Sequence, residues 1–168
     1  FRFINGAILT NEFLDLDFHI GYSYFEKANP YENLSGNEAK IQKKYLKNAL
    51  KYFRNYIHQY NLPDSNNYKI AQLRIADTYF LLREDSLAIE NYMLSLNIGN
   101  GNHSYALNQL ATSQGLIQDY KGKINTLIRL TNQYPNSKYQ VYSLLNLAQA
   151  YKDENRNKES LNTYLKIK

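Results

Sequence analysis

The chain has 168 residues, of which 43% are apolar, and its 20 Lys and Arg against 15 Asp and Glu give a formal net charge of +5. It contains no cysteine, which excludes disulfides, thiolate catalysis and cysteine-ligated metals. No apolar run approaches the roughly 18 residues of a membrane-spanning helix, so we expect no direct membrane insertion. The densest positive run has five lysines between Lys40 and Lys51. Positive charge spread this thinly favours weak attraction to acidic partners over a nucleic-acid-binding stripe.

The first half of the chain is predicted to hold three helices. Residues 1–12 are expected to be the end of a preceding element. A helix over 13–27 should stop before Asn29-Pro30, because proline disfavours helix in the residue before it. A long helix over 37–60 follows, with apolar residues at helical spacing. After a break at 61–67, which includes Pro63, a third helix covers 68–82.

Five more helices are predicted in the second half. A turn with Asp85 or Ser86 as N-cap starts the next helix, which ends near residue 97. The break at 97–102 is rich in Asn and Gly, which tolerate positive φ. Pro135-Asn136-Ser137 stops one helix and caps another. The remaining helices end near residues 116, 134 and 152, and the last is expected to run off the end of the sequence, as in a piece of a longer array.

One pattern of residues recurs four times along these helices. Its clearest copy is Ile75-Ala76-x-x-Tyr79, followed by Ala88 and Tyr92. In this copy and the next two, the first apolar residue, the small residue and the second large residue sit 0, 13 and 17 residues apart. A repeat of this length builds a solenoid of helix pairs. The other copies are Ile20-Gly21-x-x-Tyr24 with Ala49 and Phe53, Leu110-Ala111-x-x-Gln114 with Lys123 and Leu127, and Leu147-Ala148-x-x-Tyr151 with Ser160 and Tyr164.

The repeat divides the chain into four predicted units. Leu110 lies 35 residues after Ile75, and Leu147 lies 37 residues after Leu110. Tyr24 and Ala49 are 25 residues apart where the other units have nine, so the first unit carries an insertion at about 26–40. Insertions in solenoids map to loops on one face and often have a function. The units span 13–62, 63–99, 100–135 and 136–168, the last incomplete.

The pattern resembles the tetratricopeptide repeat family over nearly the whole chain from about Leu14. This resemblance implies an all-α fold, a right-handed α-solenoid of about four antiparallel helix pairs. The small residue after the first anchor would let the two helices of a unit approach closely, and Pro135 falls at the family's closing proline position. Gln114 and Lys123 depart from the pattern in the third unit. More narrowly, residues 74–80, 105–109 and 134–139 resemble long repeat proteins of the Bacteroidota cell envelope.

The resemblance also implies where a partner would bind, because the first helix of each unit lines the inner groove in this family. The predicted lining is rich in amides and tyrosines, which suits an extended peptide or a helix. Tyr105 and Tyr142 have the alternative interpretation of packing against a neighbouring unit. The predicted groove residues are His19, Tyr22, Arg74, Asp77, Tyr105, Asn108, Gln109, Thr112, Tyr142, Asn146 and Gln149.

One family binding mode is not predicted here. Chaperone-binding members hold a C-terminal carboxylate with Lys and Asn side chains from successive helices. Asp77 would repel a carboxylate, so we expect no such clamp. The corresponding positions are Leu73, Asp77, Gln109, Tyr142 and Asn146.

Candidate chemistry elsewhere is weak. Asp15-x-Asp17-x-His19 contains metal-ligating residue types, but residues two apart on a helix point about 200° from each other and cannot converge. His58 and His103 stand alone in the sequence. Catalytic and phosphate-binding motifs such as HExxH, GxSxG and the P-loop are missing from the sequence. We therefore expect no enzyme activity, no cofactor and no metal.

The predicted function is a protein–protein interaction scaffold, with a protein or peptide partner in a bacterial envelope assembly or secretion complex. The expected location is the periplasm or the outer membrane, with the cytoplasm as the alternative. A nucleic-acid-binding helical repeat is a second hypothesis, although Arg and Lys do not recur at a fixed repeat position, as a phosphate-tracking groove would need. A third is a regulatory module fused to an effector domain outside this sequence.

Overall fold

Helices account for most of the residues that the structure, a computed structural model, describes: 2–4, 7–9, 15–28, 35–99 and 102–167. Two short strands precede eight helices in this part of the chain. Seven of the helices have 8 to 16 residues and one has 25. The elements are β1 (Arg2–Ile4), β2 (Ala7–Leu9), α1 (Leu16–Lys27), α2 (Gly36–Tyr60), α3 (Asn66–Leu81), α4 (Asp85–Asn97), α5 (His103–Leu116), α6 (Tyr120–Gln133), α7 (Gln140–Asp153) and α8 (Asn157–Tyr164).

The strand pair is an addition to the predicted all-α fold. β1 and β2 pair antiparallel, with Ile4 opposite Ala7. That register leaves two residues between the paired positions, Asn5 and Gly6. Asn-Gly is the dipeptide that most favours a two-residue hairpin turn. The interpretation of residues 1–12 as the end of a preceding element does not include this hairpin.

The predicted helices are present, and their ends lie within a few residues of the predicted ones. The expected start of the first helix at residues 13–14 lies outside the described residues. The last helix is a correction, because α8 ends at Tyr164 instead of running off the end. Leu165, Lys166 and Ile167 donate backbone hydrogen bonds back to residues 161, 163 and 164, which closes the helix in a turn.

The predicted insertion at 26–40 is partly helical. Glu26 and Lys27 end α1, and residues 36–40 form the first turn of α2; residues 29–34 lie outside the described residues. The Ser35 backbone N–H donates to Oε2 of Glu38 at 2.8 Å, which satisfies an amide that the helix itself cannot bond. This hydrogen bonding with Ser35 lowers the pKa of the Glu38 carboxyl. Residues 36–41 are all exposed.

The structure divides into two compact units, which are larger than the predicted repeat units. The first compact unit spans residues 1–84. In it, α2 packs against both α1 and α3. A Cβ atom placed on Gly21 would lie 2.9 Å from the ring of the buried Phe53. Gly21 therefore allows α1 to approach α2 closely, as the repeat pattern predicts. The core of this unit consists of Phe18, Ala49, Phe53, Tyr56, Tyr60, Ala71 and Ile75.

The second unit, residues 85–168, is a succession of packed helices. Each helix from α4 to α8 packs against the next one in the chain. Such nearest-neighbour packing is the organisation of repeat proteins, in which each unit buries its apolar face on an adjacent unit. One core cluster joins α5, α6 and α7 and consists of Ala111, Ile124, Leu127, Leu147, Ala150 and Tyr151.

The two departures from the repeat pattern in this unit have a structural explanation. Gln114 stands where the other copies have Tyr, and its Oε1 accepts a buried hydrogen bond from Oγ1 of Thr126 at 2.8 Å. Lys123 stands where the other copies have a small residue. A Cβ atom placed on Gly115 would lie 3.3 Å from Cδ of Lys123, so the Lys123 side chain lies over Gly115. At this contact the small residue is therefore Gly115 on α5, whereas the repeat pattern places a small residue on the second helix of the unit.

A hydrogen bond ties the start of α1 to α2. The Tyr56 hydroxyl, on a buried side chain, donates to Oδ1 of Asp15 at 2.9 Å. Burial and then this hydrogen bond raise the pKa of Tyr56 to about 12, from an ordinary value of 10.0. Burial also raises the pKa of the neighbouring Tyr60. The folded first unit therefore holds these two protons more tightly than the unfolded chain does.

Gly21→Val is expected to destabilise the chain by about 1–3 kcal/mol, because the added carbons overlap the ring of Phe53 in a packed core. Urea unfolding followed by circular dichroism measures the change. Gly36→Ala is the matched control, since a Cβ there meets nothing within 4 Å and should cause no loss of stability. Equal unfolding midpoints for Gly21→Val and the wild type would contradict the close contact.

Alkaline pH is expected to lower the stability of the unit of residues 1–84. A tyrosine whose folded pKa is raised contributes stability that is complete below its unfolded pKa and is lost as pH rises through the folded value. For Tyr56 that window runs from its ordinary 10.0 to about 12. Unfolding free energies measured across the window should fall less steeply in Tyr56→Phe than in the wild type. Tyr142→Phe, at an exposed tyrosine, should follow the wild type, and parallel curves for all three would contradict the assignment.

Candidate binding face

The predicted groove residues of the first unit lie on α1 and α3. His19 is exposed and Tyr22 is half-buried, with ring centroids 5.3 Å and 6.0 Å from that of Phe18. Arg74 and Asp77 form an ion pair three residues apart on α3, and Asp77 is buried. These two opposite charges therefore largely cancel within the chain.

Arg74 has a second contact within the same unit. Its guanidinium lies 5.3 Å from the ring centroid of Phe25 on α1, a distance at which a cation is attracted to an aromatic face. The charged groove position on α3 thus also links α3 to α1. Its assignment to partner binding remains a prediction.

The predicted residues on α5 are mostly covered. Asn108 is buried, and Tyr105, Gln109 and Thr112 are half-buried. Thr112 Oγ1 donates to the carbonyl of Asn108 at 2.9 Å, and Nδ2 of Asn108 lies 3.3 Å from Oε1 of Gln109. The Tyr105 ring centroid is 6.2 Å from that of Tyr139. The polar groups of Asn108, Gln109 and Thr112 therefore make hydrogen bonds within α5.

The predicted residues on α7 are more accessible. Tyr142 is 55% exposed, and Gln149 is also exposed. Nδ2 of Asn146 donates to the carbonyl of Tyr142 at 2.9 Å, and Nε2 of Gln149 donates to Oδ1 of Asp153 at 2.7 Å. The amide N–H groups are thus directed along the helix. The Tyr142 ring remains free to contact a partner.

Two apolar residues extend this accessible surface. Val141 and Leu145 are exposed, Leu145 by 44%. Residues 141, 142 and 145 are neighbours on one side of a helix, because residues four apart stack on the same face. We call Val141, Tyr142, Leu145 and Gln149 the α7 face.

Sequence reasoning missed Leu145 because it selected polar and aromatic positions. Leu145 lies 37 residues after Asn108, which is the distance between the third and fourth units. It therefore occupies the same repeat position as a predicted groove residue. A comparison of equivalent positions would have found it, and it changes the chemistry of the face from amide to apolar.

The chemistry of the α7 face is that of its four side chains. Its side chains offer apolar carbon, a phenol and a carboxamide. In the pattern Asp15-x-Asp17-x-His19, whose residue types could bind a metal, Asp15 accepts a hydrogen bond from the Tyr56 hydroxyl. In the described part of the chain, no three His, Cys, Asp or Glu residues are grouped so that they could hold a metal ion. None of the described helices is both long and apolar enough to cross a membrane.

Comparisons with known proteins identify the fold. No protein-family model matches the sequence, and no curated protein matches it. The chain is similar to a solved structure of MamA AMB-1, with a TM-score of 0.59 and 12% sequence identity over 93% of this chain and 88% of that one. MamA contains tetratricopeptide repeats. At this identity the likeness shows the fold alone, and it confirms the predicted helical-repeat fold of the tetratricopeptide type.

Proposed function

We propose that this chain is a non-enzymatic protein–protein interaction scaffold whose α7 face binds an extended peptide or a helix of a partner protein. The observation that carries the proposal is the exposure of Val141, Tyr142 and Leu145 on one side of a helix whose other side is already packed. Contiguous exposed apolar side chains mark interaction sites on folded proteins. Helical-repeat proteins use such extended surfaces for binding.

Packing on α7 separates the binding residues from those needed for folding. Leu147, Ala150 and Tyr151 belong to the core cluster with α6, while Val141 and Leu145 face solvent. The outward residues can therefore be changed without opening the core. This arrangement also predicts which mutations will affect binding alone.

The chemistry of the face indicates the kind of segment that it binds. Val141 and Leu145 favour apolar partner side chains, since burying each removes apolar surface from water. Tyr142 can bury its ring while its hydroxyl bonds a partner backbone group. The four residues of the face are uncharged, so the partner segment is apolar in its central residues.

The cellular setting that we propose is a bacterial envelope assembly or secretion complex, in the periplasm or at the outer membrane. The support for this part is the resemblance of residues 74–80, 105–109 and 134–139 to envelope-associated repeat proteins. Immunodetection of the protein in fractions of its source cells tests the location. Recovery in the cytoplasmic fraction alone would overturn it and leave the scaffold proposal intact.

A displayed library of random peptides, selected on the immobilised chain, tests the scaffold proposal. We expect enriched peptides with apolar centres whose affinity falls by about thirtyfold or more in Leu145→Asp, because charging a central apolar contact costs about 2 kcal/mol or more. Fluorescence anisotropy of one synthetic enriched peptide measures the affinity.

The matched control is Leu94→Asp, at an exposed leucine on α4, which should bind the peptide as the wild type does. Circular dichroism verifies that both variants are folded. Equal affinity of Leu145→Asp and the wild type would overturn the assignment of the α7 face. Failure to enrich any peptide, together with salt-sensitive binding of a labelled single-stranded RNA, would favour the nucleic-acid hypothesis.

A further inference from the structure

The excess positive charge of the chain comes from one helix. α2 carries six lysine and arginine residues and a single acidic residue, Glu38. This excess of five equals the formal net charge of the whole sequence, +5, so the remaining residues are balanced. The interpretation of the positive charge as thinly spread is therefore wrong for this helix. The six basic residues are all exposed: Lys40, Lys43, Lys44, Lys47, Lys51 and Arg54.

Five of these residues form a row along one side of α2. They follow one another at steps of four, three, four and three residues, which keeps close to the 3.6 residues of one helical turn. The row therefore runs nearly parallel to the helix axis, with one positive charge every 5.4 Å or so, over about 21 Å. We call Lys40, Lys44, Lys47, Lys51 and Arg54 the cationic row.

The row lies opposite the packed side of the helix. α2 packs against α1 and α3, and the residues of the row lie about half a turn away from the buried residues of α2. The charges can therefore be changed without opening the core. The buried residues of α2 are Leu46, Ala49, Phe53, Tyr56 and Tyr60.

The chain itself neutralises little of this charge. Within the described residues, the ion pairs of the structure do not include the row. Lys51 has two nearby groups: its ammonium lies 5.6 Å from the ring centroid of Tyr52, and its charge partly offsets the rise that burial causes in the pKa of Asp17. The other four charges of the row are left to solvent or to a partner.

We propose that the cationic row binds the acidic face of a helix in a partner protein. A helix with Asp or Glu at positions i, i+4, i+7 and i+11 presents one carboxylate per turn, at the same repeat of about 5.4 Å. Two such helices can pair several opposite charges at once. A single exposed ion pair contributes little, so the matched repeat is what makes the contact specific. This surface lies on α2, and the proposal does not rest on binding by the α7 face.

Two other kinds of acidic partner fit α2 less well. Proteins that bind single-stranded nucleic acids place aromatic side chains beside their positive charges, so that bases stack on them, whereas the Tyr and Phe residues of α2 are all buried or half-buried. A helix that lies on a membrane inserts its apolar side into the lipid, whereas the apolar side of α2 is packed in the core. An acidic helix requires only the charges that the row presents.

NMR titration of the labelled chain with a synthetic peptide tests the proposal. The peptide is an alanine-rich helix with glutamates at positions i, i+4, i+7 and i+11, and a second peptide of the same composition distributes its glutamates around the helix. We expect the first peptide to shift backbone amide signals of residues 40–54 and to bind about tenfold more tightly than the second, because only its charges match the row. Equal affinity for both peptides, or no binding at millimolar peptide, would overturn the proposal.

Two triple variants of equal net charge locate the binding site. The combination of Lys40→Gln, Lys44→Gln and Lys47→Gln removes three charges of the row and should weaken binding of the first peptide by about tenfold, since three exposed pairs are lost. The matched control, which should bind nearly as the wild type does, combines Lys121→Gln, Lys152→Gln and Lys158→Gln. All six lysines are exposed, so both variants should fold, which circular dichroism verifies. An equal loss in the two variants would overturn the proposal, because it indicates attraction to net charge alone.

The same variants distinguish the other acidic partners. A labelled single-stranded RNA and vesicles of phosphatidylserine and phosphatidylcholine are titrated with the wild type and both triple variants. We expect weaker binding of each than of the first peptide. Tighter binding of either one that is lost in the row variant and kept in the control would overturn the proposal in favour of a nucleic acid or a membrane.

Discussion

The first unit depends on one close contact between two helices, in which the ring of Phe53 lies against the backbone of Gly21. Packing in a protein interior is dense, so the largest side chain allowed at such a crossing sets the separation of the helices. With α1 held close to α2, Phe18 reaches the shared core and Tyr24 stacks on Tyr52, with ring centroids 5.8 Å apart. The aromatic core of residues 1–84 therefore depends on Gly21, a residue with no side chain.

In a repeat protein the same kind of close helix contact recurs at a fixed spacing in the sequence. Much of the fold could therefore be predicted from residue spacing. The periodic anchors identify which side of each helix is buried, and helix ends follow from Pro, Asn and Gly. Leu145 lies beyond that method, since spacing alone does not show whether a neighbouring helix covers a position. The strand pair at the start was overlooked for another reason: the Asn5-Gly6 signal is local and independent of the repeat.

The third repeat unit, residues 100–135, shows how a repeat tolerates departures from its pattern. A small residue is needed on one side of the contact between α5 and α6, but either helix can supply it. Here Gly115 supplies it, and the methylene groups of Lys123 cover the space, as long charged side chains often do on apolar surfaces. Gln114 replaces ring packing with a buried hydrogen bond to Thr126. Scoring each position separately would underestimate this repeat unit, because Gln114 and Lys123 each have a partner, Thr126 and Gly115, that suits them.

The length of α2 has a consequence of its own. At 1.5 Å per residue, its 25 residues span about 37 Å, against about 24 Å for the 16 residues of α3. Its N-terminal half carries Lys40, Lys43, Lys44 and Lys47, all exposed, on a segment braced by the Ser35–Glu38 cap. These lysines are spaced i, i+3, i+4 and i+7, so they lie on one face of the helix and their charges act together. The attraction between these lysines and an acidic surface extends over about 10 Å at 0.1 M salt, and over a shorter distance as salt is added. Ionic strength therefore sets the distance at which this part of the protein begins to attract an acidic partner.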